Sequence, residues 1–249
     1  MDRYRLHYFP ESGNSYKLAL MLTLCGQTFE PIWTDFAARV TWTPEWRRTV
    51  NAMGEIPVLE ENGISLTQTG PILLRLAERH GHFAGADEAE RFEVLRWLFW
   101  DILRPLENPK ISWRVARGIR GVSEVRSFRV LTWTEYNQKL SGHMATYRFL
   151  RTFTRKSDPA VLGFLRGRVD DFLGIVEGRV SDRPFVIGDA ATIVDLSMGA
   201  YLSFPPDETG YDFGSSHPHV HAWLGRIASL PRWRAPYDLL PGQRLPRFA

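Results

Sequence analysis

Asn62-Gly63 lies between two short apolar segments, residues 56–60 and 64–66, and marks them as neighbouring antiparallel strands. A two-residue hairpin of this kind needs positive φ at both central positions, which asparagine and glycine tolerate best. Upstream, residues 4–9 (YRLHYF) and 29–34 also have strand character. Between them, residues 16–25 (YKLALMLTLC) hold leucines at 18, 22 and 24 among good helix formers, and Gly26 is placed to end the helix. Two strands joined by a crossover helix are expected to run parallel, so one sheet must combine a parallel pair with an antiparallel one. Thr43-Pro44-Glu45 reads as an N-cap with proline at the first helical position, opening a short helix to about residue 50. A further helix, residues 68–80, closes the unit before Gly81.

The predicted order is βαβαββα, a mixed four-stranded sheet with helices in the thioredoxin-like arrangement, assigned to residues 1–82. The chain has 249 residues, 44% hydrophobic and 24% charged, which leaves room for a second folded domain. Residues 87–249 lack strand alternation and read as an all-α domain. Apolar runs such as residues 18–24 are too short to span a membrane, and the first residues lead straight into a strand pattern rather than a signal-peptide core. A single cysteine excludes an internal disulfide framework and fits a reducing cytoplasm. The net charge of +3 is small, so a nucleic-acid role would need a concentrated basic patch.

Gly54-Glu55-Ile56-Pro57-Val58-Leu59, followed by Gln68-Thr69 and Ile72-Leu73, resembles the glutathione site of the cytosolic glutathione transferase family. The likeness is to its bacterial-type, serine-loop, theta- and beta-like branches. It implies that Ile56 offers its backbone N–H and C=O to the cysteine part of glutathione, and that the bond into Pro57 is cis. Gln68 and Thr69 would open a helix whose free N–H groups and dipole favour the γ-glutamyl carboxylate; the alternative is that they only cap it. In the family, the turn after the first strand holds the residue that contacts the glutathione sulfur. Within Pro10-Glu11-Ser12-Gly13-Asn14-Ser15, Ser12 is the candidate catalytic residue: its hydroxyl would donate to the thiolate without itself being a nucleophile. Ser15 is its rival, and all of these polar residues could equally be plain caps. The loop has no cysteine, which argues against disulfide-reductase chemistry, and Cys25 reads as a packing residue. Glu55 departs from the lysine or glutamine common at its position. Facing the glycine carboxylate it would weaken binding, leaving Lys17 or Arg75 to neutralise ligand charge.

In the second half, residues 87–101 form a helix with Phe92, Leu95, Leu98 and Phe99 on one face, and Asp158-Pro159 opens another carrying Phe164, Leu165, Phe172 and Val176. Thr192-Ile193-Val194-Asp195 resembles the family's buried N-capping box, a structural motif. His217, His219 and His221 alternate ahead of Trp223, without acidic or cysteine partners for a metal. Residues 102–136 do not fit: seven Arg/Lys against three Glu, two prolines and two glycines break any helical period. Removing them aligns Leu95 and Leu98 with Leu140, Met144 and Tyr147, so an insertion dividing one long helix is the leading reading. An ordinary interhelical loop is a second reading. A nucleic-acid-binding arm, with arginines interleaved by Trp113, Phe128 and Trp133, is a third.

The resemblance implies a detoxification-type transferase that joins glutathione, as co-substrate and without a cofactor or metal, to a small hydrophobic electrophile. Trp97, Trp100 and Tyr147 are candidates to line the electrophile pocket. It further implies a cytoplasmic homodimer. A non-catalytic or weakly active glutathione-binding protein is the alternative, favoured by Glu55 and the interrupted helix. A maleylacetoacetate-type isomerase ranks lower, because its Ser-Ser-Cys loop is missing.

Overall fold

The computed structural model describes residues 2–102 and 139–248. The first unit is built from β1 (Tyr4–Tyr8), α1 (Gly13–Leu24), β2 (Phe29–Trp33), a 3-10 turn (Val40–Trp42), α2 (Pro44–Thr49), β3 (Val58–Glu61), β4 (Ile64–Leu66) and α3 (Thr69–His80). Its sheet has the order β2-β1-β3-β4, with β1 parallel to β2 and the other neighbours antiparallel. Pro31 sits on β2, an edge strand where a missing N–H leaves no gap in the ladder. Asn62 and Gly63 take φ of 53° and 85°, as the tight hairpin requires. Two boundaries differ by more than one residue from the sequence expectation. Helix α1 begins at Gly13, because Ser12 caps it by accepting the Ser15 N–H. Strand β3 begins only at Val58, because the cis Ile56-Pro57 bond turns the chain just before it.

The second unit is helical: α4 (Glu88–Ile102), α5 (Leu140–Phe153), α6 (Pro159–Arg179), α7 (Ile193–Gly199), two single turns α8 (Pro206–Thr209) and α9 (Phe213–Ser216), then α10 (Pro218–Ala228) and α11 (Pro236–Leu239). Both halves of the Thr192/Asp195 capping box are present. The fully buried Asp195 carboxylate accepts from Thr192 N at 2.8 Å, Val186 N at 2.9 Å and Trp223 Nε1 at 2.9 Å, so each of its oxygens is satisfied away from water. Among the described residues no helix is long and apolar enough to cross a membrane.

The face read for residues 87–101 needs correction. Phe92, Leu95 and Phe99 are exposed, and α4 instead buries Val94, Trp97, Leu98 and Asp101. The helix has two apolar stripes, and the core takes the one that also carries the aspartate. Leu140, Met144 and Tyr147 are buried, and Lys139 N donates to Asp101 O at 3.3 Å, so α5 starts beside the last turn of α4. The insertion read over 102–136 lies, from residue 103 onward, outside the described residues, as do Trp113, Phe128 and Trp133.

Helix α1 lies between the sheet and the helical unit, which is why Gly13 and residues 15–22 are all buried. Its one charged residue, Lys17, has no exposure. Lys17 Nζ donates to Ser141 Oγ at 3.1 Å and sits 3.5 Å from the buried Asp101 carboxylate. After α11 the chain returns over the first unit: Leu245 N donates to Glu11 Oε1 at 2.9 Å and the Tyr8 hydroxyl to Pro241 O.

Candidate functional site

Three segments converge on one cleft of about 360 Å³ beside the amino end of α1. The first is the loop before β3. Buried Asn51 holds it from within: its side chain donates to Glu55 O at 3.0 Å and accepts from Met53 N at 3.0 Å. Gly54 has φ of 70°, and a Cβ there would come within 2.7 Å of the Arg47 guanidinium and 3.0 Å of Thr41 O, so no larger residue fits the turn. The loop then delivers Glu55 and the cis Ile56-Pro57 pair to the cleft.

The second segment is the start of α3. Gln68 is a non-glycine residue at φ 68°, a conformation that costs on the order of 1 kcal/mol or more and collects at binding sites. Its side chain does not cap α3; instead Nε2 donates to Glu55 Oε2 at 2.7 Å. The N–H groups at the amino end of α3, by Thr69 and Gly70, are thus left to an anion drawn by the helix dipole.

The third segment is the turn from β1 to α1, which brings Ser12 and Asn14 to the cleft. Ser12 Oγ accepts from Ser15 N at 3.1 Å. Beside it the ring of Tyr201, which also lines the cleft, fills the space a side chain at Gly13 would need. Burial pushes the Tyr201 phenol up, and the hydrogen bonds from Asn14 and Ser12 pull the other way. The turn is further tied to the helical unit by Arg148, whose guanidinium donates to Glu11 O at 2.7 Å and to the buried Glu208 carboxylate. Aromatic walls complete the cleft: Phe9 stacks on Phe36 at 4.4 Å between centroids, with Trp42 on the rim.

Of the residues selected from sequence, Ser12, Glu55, Ile56, Gln68 and Thr69 line this one cleft. Ser15 does not: its Oγ is buried without a partner, and only its backbone N–H reaches Ser12. Neither Lys17 nor Arg75 reaches the cleft, since Lys17 is buried against Asp101 and Arg75 pairs with Glu61 at 2.6 Å. Among the lining residues Glu55 alone is charged. Trp97, Trp100 and Tyr147 are also absent from its walls; Trp97 packs on Trp100 and Trp100 on Phe172 inside the helical unit. Cys25 is partly buried at the far end of α1, its thiol pushed up to about 11 by burial. Among the described residues no group of three His, Cys, Asp or Glu side chains could hold a metal. Sequence reading missed Asn51, Phe36, Trp42 and Tyr201, which reach the site through tertiary packing. Only Asn51, three residues before Gly54, carries even a weak turn signal.

Residues 143–231 match the family model described as glutathione S-transferase, C-terminal domain. The chain is 28% identical to mouse glutathione S-transferase theta-2 over 184 residues, 73% of this chain and 63% of that protein. The chain therefore spans under two thirds of that curated relative's length. A glutathione S-transferase structure from Pseudomonas fluorescens superposes with a TM-score of 0.72 at 26% identity, covering 94% of this chain and 99% of that one. Ure2p in complex with glutathione shares the fold, with a TM-score of 0.70 at 20% identity over 92% and 95% of the two chains.

Proposed function

The chain belongs to the glutathione S-transferase family, and from that premise we propose that it binds glutathione in this cleft and joins its thiolate to a small hydrophobic electrophile. One observation carries the reading. Ser12, a cis Ile56-Pro57 loop and the uncapped amino end of α3 face the same cleft. The α3 N–H groups suit the γ-glutamyl carboxylate, and the backbone of Ile56 suits the cysteinyl unit. Ser12 then donates its hydroxyl proton in a hydrogen bond to the sulfur. That bond favours the thiolate over the thiol, whose proton leaves to solvent. The thiolate attacks the electrophile, forming the C–S bond as the leaving group departs or as electrons shift into the acceptor. Phe9, Phe36 and Tyr201 offer the electrophile an apolar, aromatic wall beside the sulfur.

A non-catalytic glutathione-binding role is the second reading. It is favoured by the negative charge of Glu55 and by a fold shared with Ure2p, whose structures hold glutathione and its S-substituted derivatives. We further propose a homodimer acting in the cytoplasm in detoxification, on family grounds. The test is conjugation of glutathione to an aryl halide by wild type and Ser12→Ala. Wild-type turnover that drops about 10²-fold or more in the variant, with glutathione still protecting both proteins against thermal unfolding, supports the transferase. Thermal protection without wild-type turnover supports the binding role, and no protection at all ends both.

A further inference from the structure

Ser12 hangs from the Glu11–Ser12 peptide, and that peptide is gripped from both units. On its N–H side Ser12 N donates to Phe9 O at 3.1 Å, within the turn itself. On its carbonyl side Arg148 Nη1, from α5, donates to Glu11 O at 2.7 Å. Arg148 is itself held without slack, at 2% exposure. Its Nε donates to Glu208 Oε2 at 2.9 Å, and Nη2 donates to the same carboxylate and to the Tyr237 hydroxyl. The guanidinium carbon also lies 3.6 Å from the centroid of the Phe204 ring. Glu208, on α8, is as buried as its partner. A buried ion pair gains little stability over an apolar core of the same volume. What this one provides is a rigid planar fork with a donor left to aim at Glu11 O.

Resting on the transferase reading above, we infer that Arg148 is a positioning residue for the glutathione thiolate: it fixes the Glu11–Ser12 peptide so that the Ser12 hydroxyl meets the sulfur. Arg148 does not line the cleft, and Glu208 balances its charge, so it acts through Ser12 rather than on the sulfur. A charged donor on Glu11 O draws electron density across the peptide and strengthens the Ser12 N–H bond to Phe9 O. Two strong bonds on one plane leave the serine little freedom to swing away from a ligand. Hydrogen bonds weaken steeply with distance and angle, so a loosened turn shows first in the acidity of the bound thiol. The groups suited to the peptide parts of glutathione are indifferent to this grip. Arg148 bonds Glu11, Glu208 and Tyr237, and neither Ile56, Gln68 nor Thr69 is among its partners. The helical unit thereby sets how well the first unit's serine does its work, without touching the tripeptide.

The test is a spectroscopic pH titration of glutathione's thiol bound to wild type, Arg148→Lys, Ser12→Ala and their double variant, with glutathione affinity measured by calorimetry. Lysine keeps a charge beside Glu208, but one ammonium cannot reproduce the planar fork and releases Glu11 O. The bound thiol should titrate about half a unit or more higher in Arg148→Lys, with affinity within about threefold of wild type. The double variant should match Ser12→Ala alone, because Arg148 acts through Ser12. Tyr237→Phe takes a bond from the same guanidinium but leaves Glu11 O held, so it should lower the melting temperature without moving the thiol. Arg148→Met with Glu208→Gln serves if lysine prevents folding: no charge is stranded, the bond to Glu11 O is gone, and the thiol should move the same way. The other charges around the guanidinium, Glu11, Arg244 and Arg247, are common to these proteins, and repeating the titration on a Glu11→Gln background removes the one beside Ser12. Four results would overturn the assignment: an unchanged thiol in the Arg148 variants, an equal shift in Tyr237→Phe, additive effects in the double variant, or glutathione binding lost along with the shift. A bound thiol that titrates in wild type like free glutathione sinks the transferase reading itself, and the Arg148 role with it.

Discussion

Replacing Asp101 by asparagine removes one charge from a group with no solvent exposure. The carboxylate accepts from Ser141 N at 3.0 Å, Ser141 Oγ at 2.8 Å and Ser197 Oγ at 2.8 Å, and faces Lys17 Nζ at 3.5 Å. Asparagine preserves shape and most of these bonds, so the change isolates the lost anion. Stranding one member of a buried pair costs about 3–5 kcal/mol. A ceiling follows from Lys17. Burial pushes its ammonium down from the ordinary 10.5, and Asp101 opposes that shift. Without Asp101 the lysine can shed its proton. At pH 7 that costs at most about 5 kcal/mol, being the 1.36 kcal/mol per unit for the interval up to 10.5. The two figures agree, and the ceiling adds a pH signature. Where the unfolded lysine is charged and the folded one neutral, the unfolded chain binds the extra proton, so the variant gains stability as pH rises. At pH 9 the ceiling falls to about 2 kcal/mol. Urea unfolding at pH 7 and pH 9 measures both, and thermal melting at pH 7 should drop by roughly 10 °C. A loss under about 1 kcal/mol at pH 7, or a loss that does not shrink at pH 9, refutes the reasoning. Lys17→Met combined with Asp101→Asn should recover part of the stability, because it removes the stranded charge.

Glu11 behaves in the opposite sense. Its Oε2 is buried without a partner, and burial raises its carboxyl above the ordinary 4.5. A raised folded value means the native state is favoured while the group is protonated, with that advantage lost as pH climbs through the folded value. Glu11→Gln keeps an acceptor for Leu245 N and should unfold about 1 kcal/mol later than wild type at pH 7, the gain vanishing below pH ~4.5; equal melting curves at both pH values would contradict it. Glu55→Lys replaces the one charge lining the cleft and should tighten glutathione several-fold by calorimetry, in line with ~1 kcal/mol for a part-exposed ion pair, and less at high salt. Weaker binding in that variant would mean that Glu55 contacts the ligand favourably.

What could be read from the sequence follows the range of the interaction responsible. Asn62-Gly63, the Ile56-Pro57 loop and the Thr192/Asp195 box are each determined by residues close in the chain, so their chemistry is written locally. The leucine spacing starts α1 at Tyr16, too late, because residues 10–14 read as a break although Ser12 there caps the helix. The exposed and buried stripes of α4 both have helical spacing, and spacing alone does not say which one meets the core. Trp97, Trp100 and Tyr147, open in sequence to either the electrophile pocket or the core, go to the core of the helical unit, where aromatic mass finds its nearest packing partners. Tyr201 and Phe36 carry no local signal, because one comes from α7's carboxyl side and the other from the loop after β2.

The same distinction divides the site's work between the two units. Ile56, Gln68 and Thr69, which suit the peptide parts of glutathione, lie entirely within the first unit, held by Asn51 and the turn of Gly54. Ser12 also lies there, yet its turn is fixed from the helical unit on two sides. Arg148 holds Glu11 O at 2.7 Å, and the Tyr201 ring packs on Gly13. Lys17, five residues on, anchors the same helix to Asp101 across the seam. On the proposed function, then, loosening the contact between the units should spare tripeptide binding and raise the pKa of the bound thiol. The Asp101→Asn variant tests this directly, because the carboxylate's hydrogen bonds and ion pair go to Ser141, Ser197 and Lys17, none of which lines the ligand cleft. Near-normal glutathione affinity with a weakened thiolate would place binding in the first unit and activation at its boundary with the second. Loss of both together would mean that the cleft itself depends on the seam.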